Sequence, residues 1–224
     1  MKTVSITYFS DVLCVWAYIA QLRVDAIQSA YGGQVSFDYR CCNIFGDTAR
    51  KIPTDWKDKG GYAGYNEHLR RAAAEFPEIS LNPTVWLSTR PASSASPHVF
   101  LKAAQIAEKA GTAAPGTAER TLRAMRRAFF EQALDIGAWD VQCDVGKGAD
   151  VDCLEIKRLI ENGEAFAALA SDYQDADAMK VQGSPTFLLN EGRQKLYGNV
   201  GYRIIDANIQ ELLREPSSGQ ASWC

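Results

Sequence analysis

Cys14 stands where the sequence passes from an alternating, strand-like run to a helix-like one, and a thiol at such a junction is a candidate nucleophile. The first turn of a helix presents unpaired N–H groups and the positive end of the helix dipole, and both stabilise an anion. A Cys there is expected to be held as the thiolate, the form that attacks a disulfide sulfur or another electrophile. The competing reading is a small apolar side chain buried in a core. A second feature lies far along the chain, where Gly183-Ser184-Pro185-Thr186-Phe187 sets a proline directly before an apolar strand. Proline cannot donate to a strand ladder, so it belongs at the strand's first position, and a cis bond at Ser184–Pro185 would make a fixed tight turn.

The other cysteines carry weaker signals. Cys41-Cys42 follows a second strand-like run and is a candidate second thiol, although a disulfide within a vicinal pair is strained. Cys143 and Cys153 fall on separate predicted helices with no His nearby, and Cys224 ends the chain. Neither these spacings nor the lone His68 and His98 form a zinc pattern, so no metal site is expected. Arg120, Arg123, Arg126 and Arg127 cluster on one predicted helix, where a solvated face explains them; an Arg turned inward could instead hold an anionic substrate. Trp56, Tyr62, Tyr65, Trp86 and Trp139 read as core, or as the lining of an apolar pocket.

The elements that must position these groups follow from periodicity. Residues 4–9 alternate as a strand; residues 13–30 carry Ala17, Ala20, Val24 and Ile27 at helical spacing before the stop Gly32-Gly33; residues 35–40 alternate again. Strand, helix and strand with short connections form a βαβ unit with parallel strands and a right-handed crossover. A helical block follows. It has helices over residues 62–76, over 97–111 with Ser96 as cap, from Thr117 as cap to about 134, over 150–162, and over 164–179. Residues 186–190, a turn at Glu191-Gly192 and a short strand around 195–197 read as a β-hairpin, and a helix over 204–213 closes the fold. The expectation is an α/β chain with a four-stranded mixed sheet covered by helices on both faces. Residues 1–44 and 163–214 would form the sheet domain, 45–162 a helical insertion between its βαβ and ββα halves, and 215–224 a flexible tail.

Phe9-Ser10-Asp11-Val12-Leu13-Cys14-Val15-Trp16-Ala17-Tyr18, the βαβ start, the helical insertion and the Ser184–Pro185 step before ββα together resemble the DsbA-like thioredoxin-fold family. That family includes FrnE-type disulfide oxidoreductases, kappa-class glutathione transferases and 2-hydroxychromene-2-carboxylate isomerases. The resemblance implies a thioredoxin-like sheet, Cys14 as catalytic residue, and Asp11, Trp16, Asn82, Ser184 and Pro185 as substrate-binding residues. Asp11, Trp16 and Tyr18 match the FrnE-type Asp-x-x-Cys-Pro-Trp-Cys-Tyr pattern, whereas Val15 replaces its proline and Ala17 its second cysteine. Without a resolving thiol in the motif, a mixed disulfide on Cys14 needs a thiolate from elsewhere, and Ala17 is expected to leave room beside Cys14. Glutathione is then the implied co-substrate, with no bound cofactor. The stretch from Tyr197 to Arg203 lacks the Asp with which the glutathione-dependent relatives hold the glutamyl end. Asn82-Pro83 and Ser93-Ser94 fall where those relatives place site residues; turn and helix-cap chemistry also accounts for them.

Three functions stay open at this point. They are a monothiol thiol–disulfide oxidoreductase acting on a protein disulfide or a small thiol, a glutathione-dependent isomerase or transferase of a small aromatic substrate, and a redox-inactive binding protein. A homodimer is compatible with each. With 24 basic and 27 acidic residues among 224, a net charge of −3 and no long block of like charge, a nucleic acid or anionic membrane partner is not expected. No apolar run is long enough for a membrane span, and the first residues lack a secretory pattern. A cytoplasmic protein with free thiols is therefore expected.

Overall fold

A computed structural model describes residues 3–214. Its sheet is built from β1 (Val4–Ser10), β2 (Val35–Cys41), β3 (Thr186–Leu189) and β4 (Gln194–Tyr197), in the order β2-β1-β3-β4. β1 pairs parallel with β2, Ser10 opposite Cys41, and antiparallel with β3, Phe9 opposite Thr186. β3 and β4 form the expected antiparallel hairpin. The register brings the end of β1 beside the start of β3, which is how Cys14 and Pro185, distant in sequence, become neighbours.

Alternation along β1 explains why helices cover both faces. Ile6 and Tyr8 pack with Ala20, Val24 and Ile27 of α1 (Val15–Tyr31) and with Ile205 and Ile209 of α9 (Tyr202–Leu213). Phe9 points the other way, onto Cys42, Leu188 and Ala176 of α8 (Glu164–Ala178). Each fully buried side chain of this size contributes about 1.5–3 kcal/mol. Between β2 and α8 run α2 (Thr48–Asp55), α3 (Gly61–Ala74), α4 (Ala95–Ala110), α5 (Thr117–Phe130), α6 (Trp139–Lys147) and α7 (Cys153–Glu161).

Several helix starts differ from the sequence reading. The cap of α4 is Ser94, so Pro97 sits inside the first turn, and Ser96 donates instead to the Gly137 carbonyl (3.0 Å). Thr117 is the first residue of α5 rather than its cap, because Gly116 takes the left-handed cap position. Helix α7 begins at Cys153, capped by the Asp152 carboxylate; Asp150, expected to open it, lies before it at φ 64°. The tail over residues 215–224, including Cys224, lies outside the described residues.

A buried polar seam joins α4 and α8 to the sheet. Lys102 Nζ meets Asp172 Oδ2 at 2.9 Å, and the same oxygen accepts the Cys41 N–H at 2.8 Å, at the end of β2. One turn earlier on α4, His98 Nε2 accepts the Val12 N–H (3.1 Å). That nitrogen must therefore carry a lone pair, which assigns the proton to Nδ1, 3.2 Å from the Tyr173 hydroxyl oxygen. Burial pulls the His98 pKa below the usual imidazole value; Arg126 and Lys102 act in the same direction, and Asp11 and Asp172 oppose it.

Unfolded His98 takes up a proton below about pH 6.5 while the folded residue resists it, so its stability contribution is complete above that pH and is lost as pH falls. Urea midpoints measured between about pH 7.5 and pH 5.5 should fall for the wild type and fall less for His98→Gln. Equal slopes for the two proteins would remove His98 from the seam's pH response.

Candidate active site

Cys14 is the N-cap residue of α1, with φ −85° and ψ 118°, and its carbonyl accepts the N–H groups of Ala17 and Tyr18. Its thiol donates to the Ser184 carbonyl oxygen at 3.1 Å. The side chain is only 5 % exposed. Burial pushes the thiol up from its ordinary value, and the Asp11 charge adds to this. Hydrogen bonds from Ser184 and from the backbone at Ala17 and Trp16 act against it without reversing it. The expectation of a resting thiolate is thus corrected: the helix start is present, but the dehydration of the sulfur outweighs it. The room expected beside Cys14 is also missing, because Ala17 is fully buried in the same apolar cluster.

The loop carrying Cys14 is shaped by Asp11. Its carboxylate is fully buried and accepts hydrogen bonds from Leu13 N, Ile44 N, Phe45 N and the Ser94 hydroxyl, at 2.8–3.0 Å. These donors come from the β1–α1 loop, the segment after β2, and the cap of α4. Asp11 therefore faces the interior, and its oxygens are used by the protein rather than offered to a substrate. Its own N–H donates to the Ser184 hydroxyl at 2.8 Å, which ties the loop to the opposite ledge.

That ledge begins with a cis Ser184–Pro185 bond. The Pro185 carbonyl accepts Gly198 N (2.8 Å), and Thr186 Oγ1 donates to the Gly183 carbonyl (2.8 Å). The exposed Tyr197 ring lies over Gly183, so a Cβ there would have to push that ring aside.

The remaining candidates separate into those near the thiol and those used elsewhere. Trp16 is half-buried and edge-on to His68, ring centroids 6.3 Å apart. Asn82 has its amide committed to the Glu131 carbonyl and its oxygen to Thr84, so it holds a turn against the end of α5 rather than facing a substrate. Arg126 does turn inward, but its guanidinium meets Ser10 Oγ (2.8 Å) and Gln21 Oε1 (3.1 Å), both protein atoms. Cys41 and Cys42 are free and buried, and burial raises both thiols.

Of the five aromatic residues, Trp86 is fully buried and Tyr65 nearly so, and they pack with Phe45 and the partly buried Trp56, whereas Trp139 is exposed at the surface. An open groove of about 760 Å³ has a mixed lining, in which Ile44, Ala95 and Tyr173 accompany the pairs Arg50–Asp47 and Lys51–Asp55. Among the described residues no cluster of three or more His, Cys, Asp or Glu side chains could hold a metal ion, and no helix is long and apolar enough to cross a membrane.

Ser94, already singled out in the sequence, ligates Asp11 through its hydroxyl, whereas three roles lie outside the sequence reading: this use of Ser94, His98 as acceptor for the motif loop, and Asn66, whose buried amide holds the carbonyls of Pro83 and Val85. A serine four residues before a lone histidine at a helix start was the available signal for the first two. Asn66 had none.

Among curated proteins, none matches the chain. Solved structures do. A probable DsbA oxidoreductase from Streptomyces coelicolor superposes with a TM-score of 0.72 at 17 % identity, covering 96 % of this chain and 92 % of that one. The cytosolic disulfide reductase DsbM from Pseudomonas aeruginosa, solved with GSH, gives 0.65 at 19 % identity, covering 92 % and 99 %. A 2-hydroxychromene-2-carboxylate isomerase gives 0.64 at 16 % identity, covering 93 % and 95 %. At such identities the likeness establishes the thioredoxin-like fold. The sequence profile of the DSBA-like thioredoxin domain matches residues 5–210, nearly the whole chain, so the protein belongs to the DsbA-like thioredoxin-domain family.

Proposed function

We propose that the chain is a thiol–disulfide oxidoreductase working through one motif cysteine, Cys14, with glutathione or another outside thiol releasing the mixed disulfide. The observation that carries this reading is the Cys14 thiol held 3.1 Å from the Ser184 carbonyl oxygen at the start of β3. In the resting protein that thiol is protonated. When it loses its proton to solvent, the Ser184 carbonyl loses its donor and becomes free to accept an N–H from an extended substrate. The Ser184 hydroxyl, held by Asp11 N–H, can then turn its own proton toward the sulfur anion. Pro185 follows the carbonyl that the thiol meets, and Asp11 positions the loop and does not touch substrate.

The thiolate attacks one sulfur of the substrate disulfide; that bond breaks, the other sulfur leaves as a thiolate and is protonated, and a Cys14–substrate disulfide remains. A glutathione thiolate attacks the Cys14 sulfur and releases the reduced substrate. A second glutathione attacks the glutathione sulfur of the adduct, regenerating Cys14 and forming glutathione disulfide. Substrate gains two electrons and two protons, and two glutathiones supply them. The packed aromatic block supports this reading over a glutathione-dependent isomerase or transferase, whose small aromatic substrate needs an apolar cavity.

Alkylation of Cys14 by iodoacetamide should accelerate about tenfold per pH unit from neutral to pH 9 without levelling off, because the thiolate fraction of a raised thiol grows tenfold per unit. A plateau reached by neutral pH would reinstate the helix-start thiolate. Incubation of the reduced protein with glutathione disulfide should add one glutathione at Cys14, removable by excess glutathione and absent in Cys14→Ser. A Cys14 that stays unmodified in the folded protein, at alkaline pH as well as neutral, would sink the redox reading.

A further inference from the structure

The helical segment between β2 and α8 brings together two thiols that have no part in the proposed Cys14 chemistry. Cys143 lies on α6 and Cys153 is the first residue of α7. The chain between them turns back through Gly146, whose carbonyl accepts the N–H groups of both Ala149 and Val151 (2.8 and 3.0 Å), and through Asp150 at φ 64°. This reversal places Cys153 Sγ 3.5 Å from the Cys143 carbonyl oxygen, so the two cysteines are direct neighbours across the turn. Gly146 itself is fixed in place, since a Cβ there would strike the Phe100 ring at 2.9 Å. The Lys147 side chain, one turn beyond Cys143, lies close enough to act electrostatically on both sulfurs.

We infer that Cys143 and Cys153 form a second thiol–disulfide site, independent of Cys14, which accepts oxidising equivalents from a low-molecular-weight disulfide and closes into an intramolecular disulfide joining α6 to α7. Access decides the order of events. Cys153 is partly exposed, while Cys143 is buried. The Cys153 thiolate therefore attacks one sulfur of glutathione disulfide; its S–S bond breaks, and one glutathione thiolate leaves and is protonated. The Cys143 thiol gives up its proton to solvent and attacks Cys153 Sγ, and the second glutathione leaves and is protonated in turn. Two protein thiols are oxidised to one disulfide, and one glutathione disulfide is reduced to two glutathiones. Burial pushes the Cys143 thiol up to about 12, which makes this second step the slower one, and unlike Cys42 it has a lysine beside it, Lys147, that favours the anion as it forms.

The test uses the full-length Cys14→Ser protein, so that a failure of the Cys14 reading leaves it unaffected. Folded, reduced protein is incubated with glutathione disulfide, trapped with acid, and digested without reduction. The expected result is loss of two hydrogens in the intact mass and a peptide pair linked through Cys143 and Cys153, reversed by dithiothreitol. Maleimide labelling of Cys153 should fall about tenfold or more after oxidation. Cys143→Ser should instead accumulate a glutathione adduct on Cys153, because the resolving thiol is gone. Where that variant does not fold, the linked peptide of the parent decides alone. A stable adduct on Cys153 with Cys143 present, pairing of Cys153 with any other cysteine, or unchanged labelling of both residues would overturn the inference.

Discussion

The buried carboxylate of Asp11 is the constraint on which the site depends. A carboxylate removed from water is tolerated only when its lone pairs are met, and Asp11 meets them with donors from its own loop, from the chain after β2, and from the cap of α4. Withdrawal of one such donor leaves a charged acceptor short and costs on the order of 1–3 kcal/mol. The three segments are therefore held in one arrangement, with the Cys14 loop in the middle of it. The bond from Asp11 N to the Ser184 hydroxyl extends the same arrangement to the ledge before β3. Ser94 illustrates the economy of this design: a residue type usually found capping its own helix gives its hydroxyl to Asp11 instead.

What Asp11 organises is a dry thiol. Leu13 and Ala17 are fully buried on either side of Cys14, and dehydration keeps the sulfur protonated even at a helix start. The helix terminus and the Ser184 hydroxyl then act on the anion only after it forms. Such a group is quiet until a partner arrives, and the proposed exchange of the thiol's proton for a substrate N–H at the Ser184 carbonyl couples activation to binding. A resting thiolate at the same place would react with any disulfide that reached it.

The elements that frame the site were legible in the sequence because they are periodic. The alternation of residues 4–9 and 35–40, the apolar spacing of Ala17, Ala20, Val24 and Ile27, and the proline before Thr186 each mark an element whose buried face is written locally. Helix α2 was not legible: it is short, contains Pro53, and buries only Thr48 and Ile52. The state of Cys14 was misread for a different reason. Its place at a helix start is a local property, whereas its burial is imposed by residues from distant parts of the chain, and burial decides the protonation. Arg126 shows the same limit, since one arginine of a basic cluster turns inward to a serine of β1 and only the packing of α5 on the sheet determines which.

The absence of a second motif thiol is also a matter of packing. Ala17 follows Cys14 by three residues and is fully buried against it, so no solvent-facing position remains there from which a thiol could reach a bound substrate. Cys42 is held on the other side of the sheet's end, among Phe9, Ala176 and Leu188, and the loss of hydration and the nearby Asp11 and Cys14 charges all disfavour its anion. To resolve a mixed disulfide it would have to ionise beside those groups without leaving its apolar contacts. An outside thiol meets neither obstacle: it ionises in water and approaches from the face where the substrate itself entered. On these grounds the proposed cycle ends with a soluble thiol such as glutathione rather than with a second cysteine of the chain.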